Sequence, residues 1–210
     1  MDRGYWEVMI QDMAMLKNKL DIKELIQFYY TLERDFAHLC WQPSYKECKA
    51  NSKHILNGMR GWALQSNQLD LTKPCPPYNI TSEEKLEYKD TAAMFGIAKR
   101  LRSVFPYAHQ FSISEHPPGA MINFHTDTRD YLKVHIPIIT NDKAWFQFES
   151  SRQFVLPADG SMILINTQIP HGTINSGTTK RVHLFFKIPA EKEKEILAYD
   201  NKELQSSKHS

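Results

Sequence analysis

The 210-residue chain predicts a mainly β fold with flanking helices, and two observations carry that reading. After Pro106, short runs follow one another, several alternating and rich in β-branched and aromatic residues: HQFSISE, AMINFH, YLKVHIPII, AWFQFES, RQFVLP, SMILIN and KRVHLFF. Pro-Gly, Asn-Asp, Ala-Asp-Gly and Asn-Ser-Gly stretches separate them at roughly 8–12-residue intervals, the pattern of a sandwich or barrel and not of a doubly wound α/β sheet. Before Pro106, apolar residues recur at helical spacing instead.

The first forty residues read as helical. Met9, Met13, Leu16 and Leu20 recur at three- and four-residue steps, a stripe that packs on the domain. Asp21 followed by Glu24 resembles a capping box, ahead of a second apolar face of Ile22, Leu25, Ile26, Tyr29 and Leu32. Residues 41–78 are irregular, with loops at Pro43, Pro74, Pro76 and Pro77 and a strand predicted around MRGWALQ, residues 59–65. Thr81 with Glu84 opens another predicted helix, whose Ala93, Phe95, Ile97, Ala98, Leu101 and Val104 end before Pro106. From Pro189 onward a polar helix with a charged tail is expected. The expected organisation is one domain over 1–210: a helical and irregular part (1–105), a β core (106–188) and the C-terminal helix and tail (189–210).

Composition narrows the function. Hydrophobic residues make up 41% and charged residues 24%, ordinary for a globular chain. The formal charge of +2, from 26 basic and 24 acidic residues, gives no electrostatic reason to expect a nucleic-acid or acidic-membrane partner. Cys40, Cys48 and Cys75 are an odd count without CxxC spacing, so reduced thiols are expected and no cysteine-based zinc site. Glu7, Asp12 and Lys17 interrupt any leader-like apolar stretch, and no run approaches the ~20 apolar residues that cross a bilayer. A cytoplasmic protein is the expectation.

The chemistry concentrates in FHTDTRDYLKVHIPI, residues 124–138. Strand alternation puts His125 and Asp127 on one face. Taken alone, they read first as a polar strand end facing water. A third candidate, His171, lies in a turn after the apolar run SMILIN. Two imidazoles and a carboxylate make the facial triad that suits non-haem Fe(II), leaving coordination positions for other ligands. Arg181, ten residues after His171, sits in a largely apolar strand, where a guanidinium is costly to bury without an anion and well suited to clamp a carboxylate.

These four elements in order resemble the Fe(II)/2-oxoglutarate-dependent dioxygenases. The stretch SEHPPGAMINFHTD…LKVHIPI…LPADGSMILIN…HGTINSGTTKRVHLFF is similar to their aspartyl/asparaginyl β-hydroxylase branch, over roughly residues 110–188. The resemblance implies a double-stranded β-helix (jelly-roll) core with an N-terminal helical buttress. It implies His125, Asp127 and His171 as catalytic iron ligands, 2-oxoglutarate and dioxygen as cosubstrates, and Arg181 on the far carboxylate. It places Ser114 beside that carboxylate, and Lys133 and His135 where the branch has an Arg-x-His pair contacting the cosubstrate; the lysine departs from the pattern. His183, on the strand face of Arg181, is a further cosubstrate candidate. Ordinary strand polarity or a core histidine is the alternative for each of these. An intact Asp127 argues for hydroxylation over halogenation, because related halogenases have a small residue there.

For the substrate side, the candidates are Arg129 and Tyr131 just after the triad's first two members, Trp145 or its neighbour Phe146, and His116; Asn123 and Trp62 have less support. The implied reaction is hydroxylation of an unactivated C–H of an amino acid, free or within a peptide. The rivals are a cupin-like metal enzyme that does not use 2-oxoglutarate, a non-catalytic jelly-roll binding module, and a nucleic-acid demethylase. Arg181 speaks against the first, the intact triad against the second and the near-neutral charge against the third.

Overall fold

The computed structural model describes residues 12–43, 56, 58–75, 87–127, 130–149 and 153–199. Its elements are β1 (Met13–Lys19), α1 (Ile22–Asp35), β2 (Arg60–Ala63), β3 (Gln65–Ser66), β4 (Lys89–Asp90), α2 (Gly96–Val104), β5 (His109–His116), β6 (Met121–His125), β7 (Tyr131–Ile139), β8 (Ala144–Phe148), β9 (Gln153–Val155), β10 (Ser161–Ile165), β11 (His171–Asn175), β12 (Arg181–Pro189) and α3 (Glu193–Ala198). A six-stranded antiparallel sheet, β1-β10-β7-β12-β5-β2, faces a four-stranded one, β6-β11-β8-β9, and β3 pairs β4 separately. This is the expected jelly-roll.

Alternation divides the larger sheet into two chemically different faces. Leu132, Val134, Ile136 and Ile138 of β7 and Val182, Leu184, Phe186 and Ile188 of β12 are buried with Leu25, Tyr29, Leu32, Ile97, Ala98 and Leu101 of α1 and α2 in the main core. The intervening Lys133, His135, Arg181, His183 and Phe185 face the smaller sheet. At the β10 end that interior is apolar, with Ile163 and Ile165 packed on Phe146, Phe148 and Leu156.

Several sequence expectations need correction. Residues 13–19 form a strand, not a helix: β1 pairs antiparallel with β10 (Met13↔Ile165, Ala14↔Leu164, Met15↔Ile163), because the sheet edge offers hydrogen-bond partners that outweigh the helical spacing of Met13, Leu16 and Leu20. The N-terminal part therefore supplies two edge strands, β1 and β2, as well as helices. Helix α1 forms as expected, with the Asp21 carboxylate accepting from the Lys23 amide at 2.9 Å. Glu24 pairs with Arg100 of α2. The second predicted helix is shorter. It begins at Gly96, since Lys89 and Asp90 pair with β3 and Thr91 hydrogen-bonds the carbonyls of Ala63 and Leu64. Thr81, Glu84, Met9 and Cys48 lie outside the described residues. The C-terminal helix is present, anchored by a fully buried Ile196. No described helix is long and apolar enough to cross a membrane.

Behind the larger sheet, Glu115 is held by Arg60 at 2.8 Å and by the Tyr29 hydroxyl, and Lys180 joins the group 2.6 Å from that hydroxyl. The network ties α1 to β5 and to the residue preceding Arg181. One turn is just as constrained. Gly160 has φ +86°, and a Cβ there would stand 2.0 Å from the Leu20 carbonyl oxygen, at the point where the Leu20 amide donates back to the Gly160 carbonyl at 2.8 Å. Gly160→Ala is expected to lose about 3 kcal/mol of stability or more, read as a lower denaturation midpoint at unchanged slope.

Candidate metal centre and anion clamp

Strand β6 delivers His125 at its last residue, and His171 stands directly opposite as the first residue of β11. His171 thus belongs to a strand and not to the expected turn. The pairing needs Gly172: a Cβ there would lie 2.8 Å from the Ile122 carbonyl oxygen, at a register shift between His171 and Thr173. Asp127 follows β6, pinned by its amide to the Thr167 carbonyl at 2.8 Å. Ligand atoms of His125, Asp127 and His171 all lie within 4.8 Å of one another.

The hydrogen bonds of the two imidazoles prepare them for a cation. His125 Nδ1 donates to the Asn123 carbonyl at 2.8 Å, and His171 Nδ1 donates to the Ile169 carbonyl at 3.0 Å. A carbonyl only accepts, so each ring carries a proton on Nδ1, and in the neutral ring Nε2 is then the atom with the lone pair. Burial, reinforced by Lys133, pushes His171 down to about 4, keeping it neutral. Burial opposes ionisation of Asp127, but the Lys133 ammonium, 2.6 Å from Oδ2, holds the carboxyl well below the usual range. With His171 neutral and Asp127 ionised, the group offers two imidazoles and one carboxylate, the donors that suit Fe(II).

Arg181 opens β12 on the inner face, 3% exposed. It donates to His183 Nδ1 at 3.0 Å and to His116 Nδ1 at 3.3 Å, and no carboxylate pairs with it among the described residues. Burial pulls the guanidinium down to about 9, which leaves it cationic at neutral pH. Because arginine cannot accept, His116 and His183 must both present a lone pair at Nδ1 and a proton at Nε2. His116 Nε2 donates to Ser114 Oγ at 2.9 Å. His183 Nε2 is buried with no partner among the described residues. A cation and an unsatisfied N–H therefore face one cavity, where the Asp127 carboxylate is taken by Lys133 and no carboxylate pairs with Arg181 among the described residues.

Triad and arginine line a single cavity of about 430 Å³. Ser114, His116, Lys133, His135 and His183 line it too, so the structure brings these sequence candidates together. His116, expected on the substrate side, touches Arg181 instead. Trp145 does not line the cavity. The inward positions of β8 are Ala144, Phe146 and Phe148, and Phe146 stands 5.6 Å from the His171 ring. Tyr131 packs on His109 outside the cavity wall, Trp62 is buried on the helix side with its Nε1 donating to the Phe36 carbonyl, and Arg129 lies outside the described residues. Phe185 was missed, although its two-residue step from His183 places it on the same face; Leu56 and Ile122 carried no such signal.

The family model for aspartyl/asparaginyl beta-hydroxylase matches residues 81–190, just over half of the sequence. The chain belongs to this family. No curated protein matches it. Among solved structures, a Pseudomonas putida prolyl-4-hydroxylase is similar over 85% of this chain and 92% of its own, at 12% identity and a TM-score of 0.51. HygX from Streptomyces hygroscopicus, solved with nickel and 2-oxoglutarate bound, is similar over 84% of this chain and 82% of its own, at 10% identity and a TM-score of 0.52. At such identities the likeness is one of fold.

The buried neutral histidines make stability depend on pH in a definite direction. Burial, then Arg181, holds His116 and His183 well below the ordinary 6.5. The unfolded chain therefore takes up protons below about 6.5 that the folded chain refuses, so stability is lost as pH falls from there. The metal-free protein is expected to lose about 1.4 kcal/mol per pH unit for each such histidine, read as a falling urea midpoint between pH 6.5 and 4.5. A flat midpoint over that range would contradict the buried neutral assignment.

Proposed function

We propose that the chain is an Fe(II)- and 2-oxoglutarate-dependent hydroxylase acting on an unactivated C–H of an amino acid, free or within a peptide. The observation that carries this reading is Arg181, a buried guanidinium without a carboxylate partner among the described residues that faces the same cavity as the triad. His125, Asp127 and His171 would hold the metal, and the neutral His171 and ionised Asp127 fit it. Bound there with 2-oxoglutarate and dioxygen, iron would supply the oxidation that inserts oxygen into the C–H bond.

The remaining roles belong to this chain's own side chains. Arg181 binds the carboxylate of 2-oxoglutarate that lies farther from the metal, and the planar guanidinium suits a two-point contact. His116, braced by Ser114, and His183 hold the guanidinium in its plane, and the unpartnered His183 Nε2–H gives the carboxylate a second donor. Lys133 keeps Asp127 ionised and orients it. His135, stacked on Phe185 and set edge-on to Phe146, lines the passage between triad and clamp. The aromatic walls exclude water from the reacting centre. A metal enzyme that does not use 2-oxoglutarate would leave Arg181 without a counter-ion. The near-neutral charge favours a small-molecule or peptide substrate in the cytoplasm over nucleic acid or membrane.

Anaerobic titration of the metal-free protein with Fe(II) and then 2-oxoglutarate tests this. Wild type is expected to develop visible charge-transfer absorption. His171→Ala is expected to lose metal binding. Arg181→Ala is expected to keep the metal and weaken 2-oxoglutarate at least about 30-fold, the loss of one partner of a buried charge pair. Bound iron with no response to 2-oxoglutarate in wild type would refute the proposal.

A further inference from the structure

A second cationic feature lies at the other end of β12. Lys187 is six residues beyond Arg181, about 20 Å along an extended strand, too far for one five-carbon dicarboxylate to span both. By alternation it shares the inner face with Arg181, His183 and Phe185, opposite the apolar set packed under the helices. Its direct cross-strand neighbour on β7 is Lys133, the residue bound to Asp127. Like charges placed opposite each other on one sheet face destabilise it. Lys187 is partly buried, and among the described residues it makes no hydrogen bond or ion pair; the nearby Asp127 carboxylate is already taken by Lys133. Burial and the neighbouring Lys133 ammonium push it down to about 8, with Asp127 pulling the other way.

The strand on the far side is shaped to this position. Between Ser112 and His109, β5 carries one residue more than β12, and Gln110 sits at φ +55°, the one non-glycine residue with positive φ among those described. Such a bulge re-aims a side chain, at an energetic cost that a non-glycine residue bears only where the surroundings enforce it. It brings His109 into register with Lys187, and the His109 ring packs on Tyr131 at 4.6 Å and on Tyr88 at 5.5 Å. Burial, then Lys187, pushes His109 down to about 4, so it adds no charge. The result is an aromatic frame around an unpaired ammonium, beside the triad and on the side away from Arg181.

We propose that Lys187, framed by His109 and Tyr131, binds a carboxylate of the substrate, so that the substrate of this enzyme is a carboxylic acid. The inference rests on the reading that the cavity holds metal and 2-oxoglutarate. It extends that reading by assigning the two cationic ends of the barrel to two molecules, Arg181 to the cosubstrate and Lys187 to the substrate. The carboxylate could come from one other source, the metal-proximal carboxylate of 2-oxoglutarate itself, and the test separates the two.

Calorimetry would first load the protein with Mn(II) and N-oxalylglycine, a non-reacting analogue of 2-oxoglutarate; failure at this step refutes the hydroxylase reading and is seen before any substrate probe is added. The loaded protein is then titrated with three matched pairs: acetate and acetamide, N-acetyl-L-leucine and its amide, and N-acetyl-L-asparagine and its amide. Wild type is expected to bind the acids at least about tenfold more tightly than the amides. Lys187→Met is expected to abolish that preference while N-oxalylglycine affinity stays within about twofold, and Lys187→Arg is expected to retain the preference. Three outcomes overturn the proposal: no acid bound more tightly than its amide by wild type, a preference that survives in Lys187→Met, or a loss of N-oxalylglycine affinity in Lys187→Met as large as the loss for the acids. The last would assign Lys187 to the cosubstrate.

Discussion

Burying one guanidinium with no carboxylate partner among the described residues sets the terms for the interior of this barrel. Taking a cation out of water is expensive, and inside proteins the expense is normally met by an opposite charge. Here Arg181 is met by neutral imidazoles, which satisfy its N–H groups and leave its charge uncompensated. That choice dictates the rest of the cluster. His116 and His183 must remain unprotonated, their tautomers follow from arginine being a donor only, and Ser114 is needed to receive the proton that His116 is left with.

The triad obeys the opposite logic. Asp127 is partly buried beside Lys133, which secures its charge, while His171 is neutral and both His125 and His171 are oriented by main-chain carbonyls. Lys133 in this way does a task that a second carboxylate could not: it keeps the Asp127 carboxylate ionised and in place. A lysine serves here because a single point charge suffices, where the Arg181 position calls for a planar fork. The triad and the Arg181 cluster are thus held by separate charge arrangements on neighbouring strands, with aromatic rings between them.

The larger sheet makes both possible because its two faces are solvated by different things. One is covered by α1, α2 and α3 and is mostly apolar, which supplies the stability. The other carries lysine, arginine and three histidines, which alone would destabilise a core. The Tyr29–Glu115–Arg60–Lys180 network on the helix side fixes β5 next to the start of β12, so the polar face is held by its apolar reverse.

Much of this was legible in the sequence because it depends on local rules. Period-two alternation identified β5 to β10 and β12 with small end errors, and it put His125 with Asp127 and Arg181 with His183 on common faces. The residue types at those spacings pointed to the metal and anion chemistry. What the sequence could not decide was anything requiring a partner from elsewhere in the chain. Residues 13–19 have helical spacing but become a strand because the β10 edge is vacant without them. His171 lies in a strand because Gly172 lets β6 approach. Trp145 and Phe146 looked interchangeable until strand pairing chose which one faces inward. His116 became a brace for Arg181, and Lys187 a neighbour of Lys133, only through cross-strand register. The sequence by itself determined the kinds of strand and the chemical inventory, since both are written in neighbouring residues; the tertiary structure alone decided which side chains meet, since that is set by which strands pair and in what register.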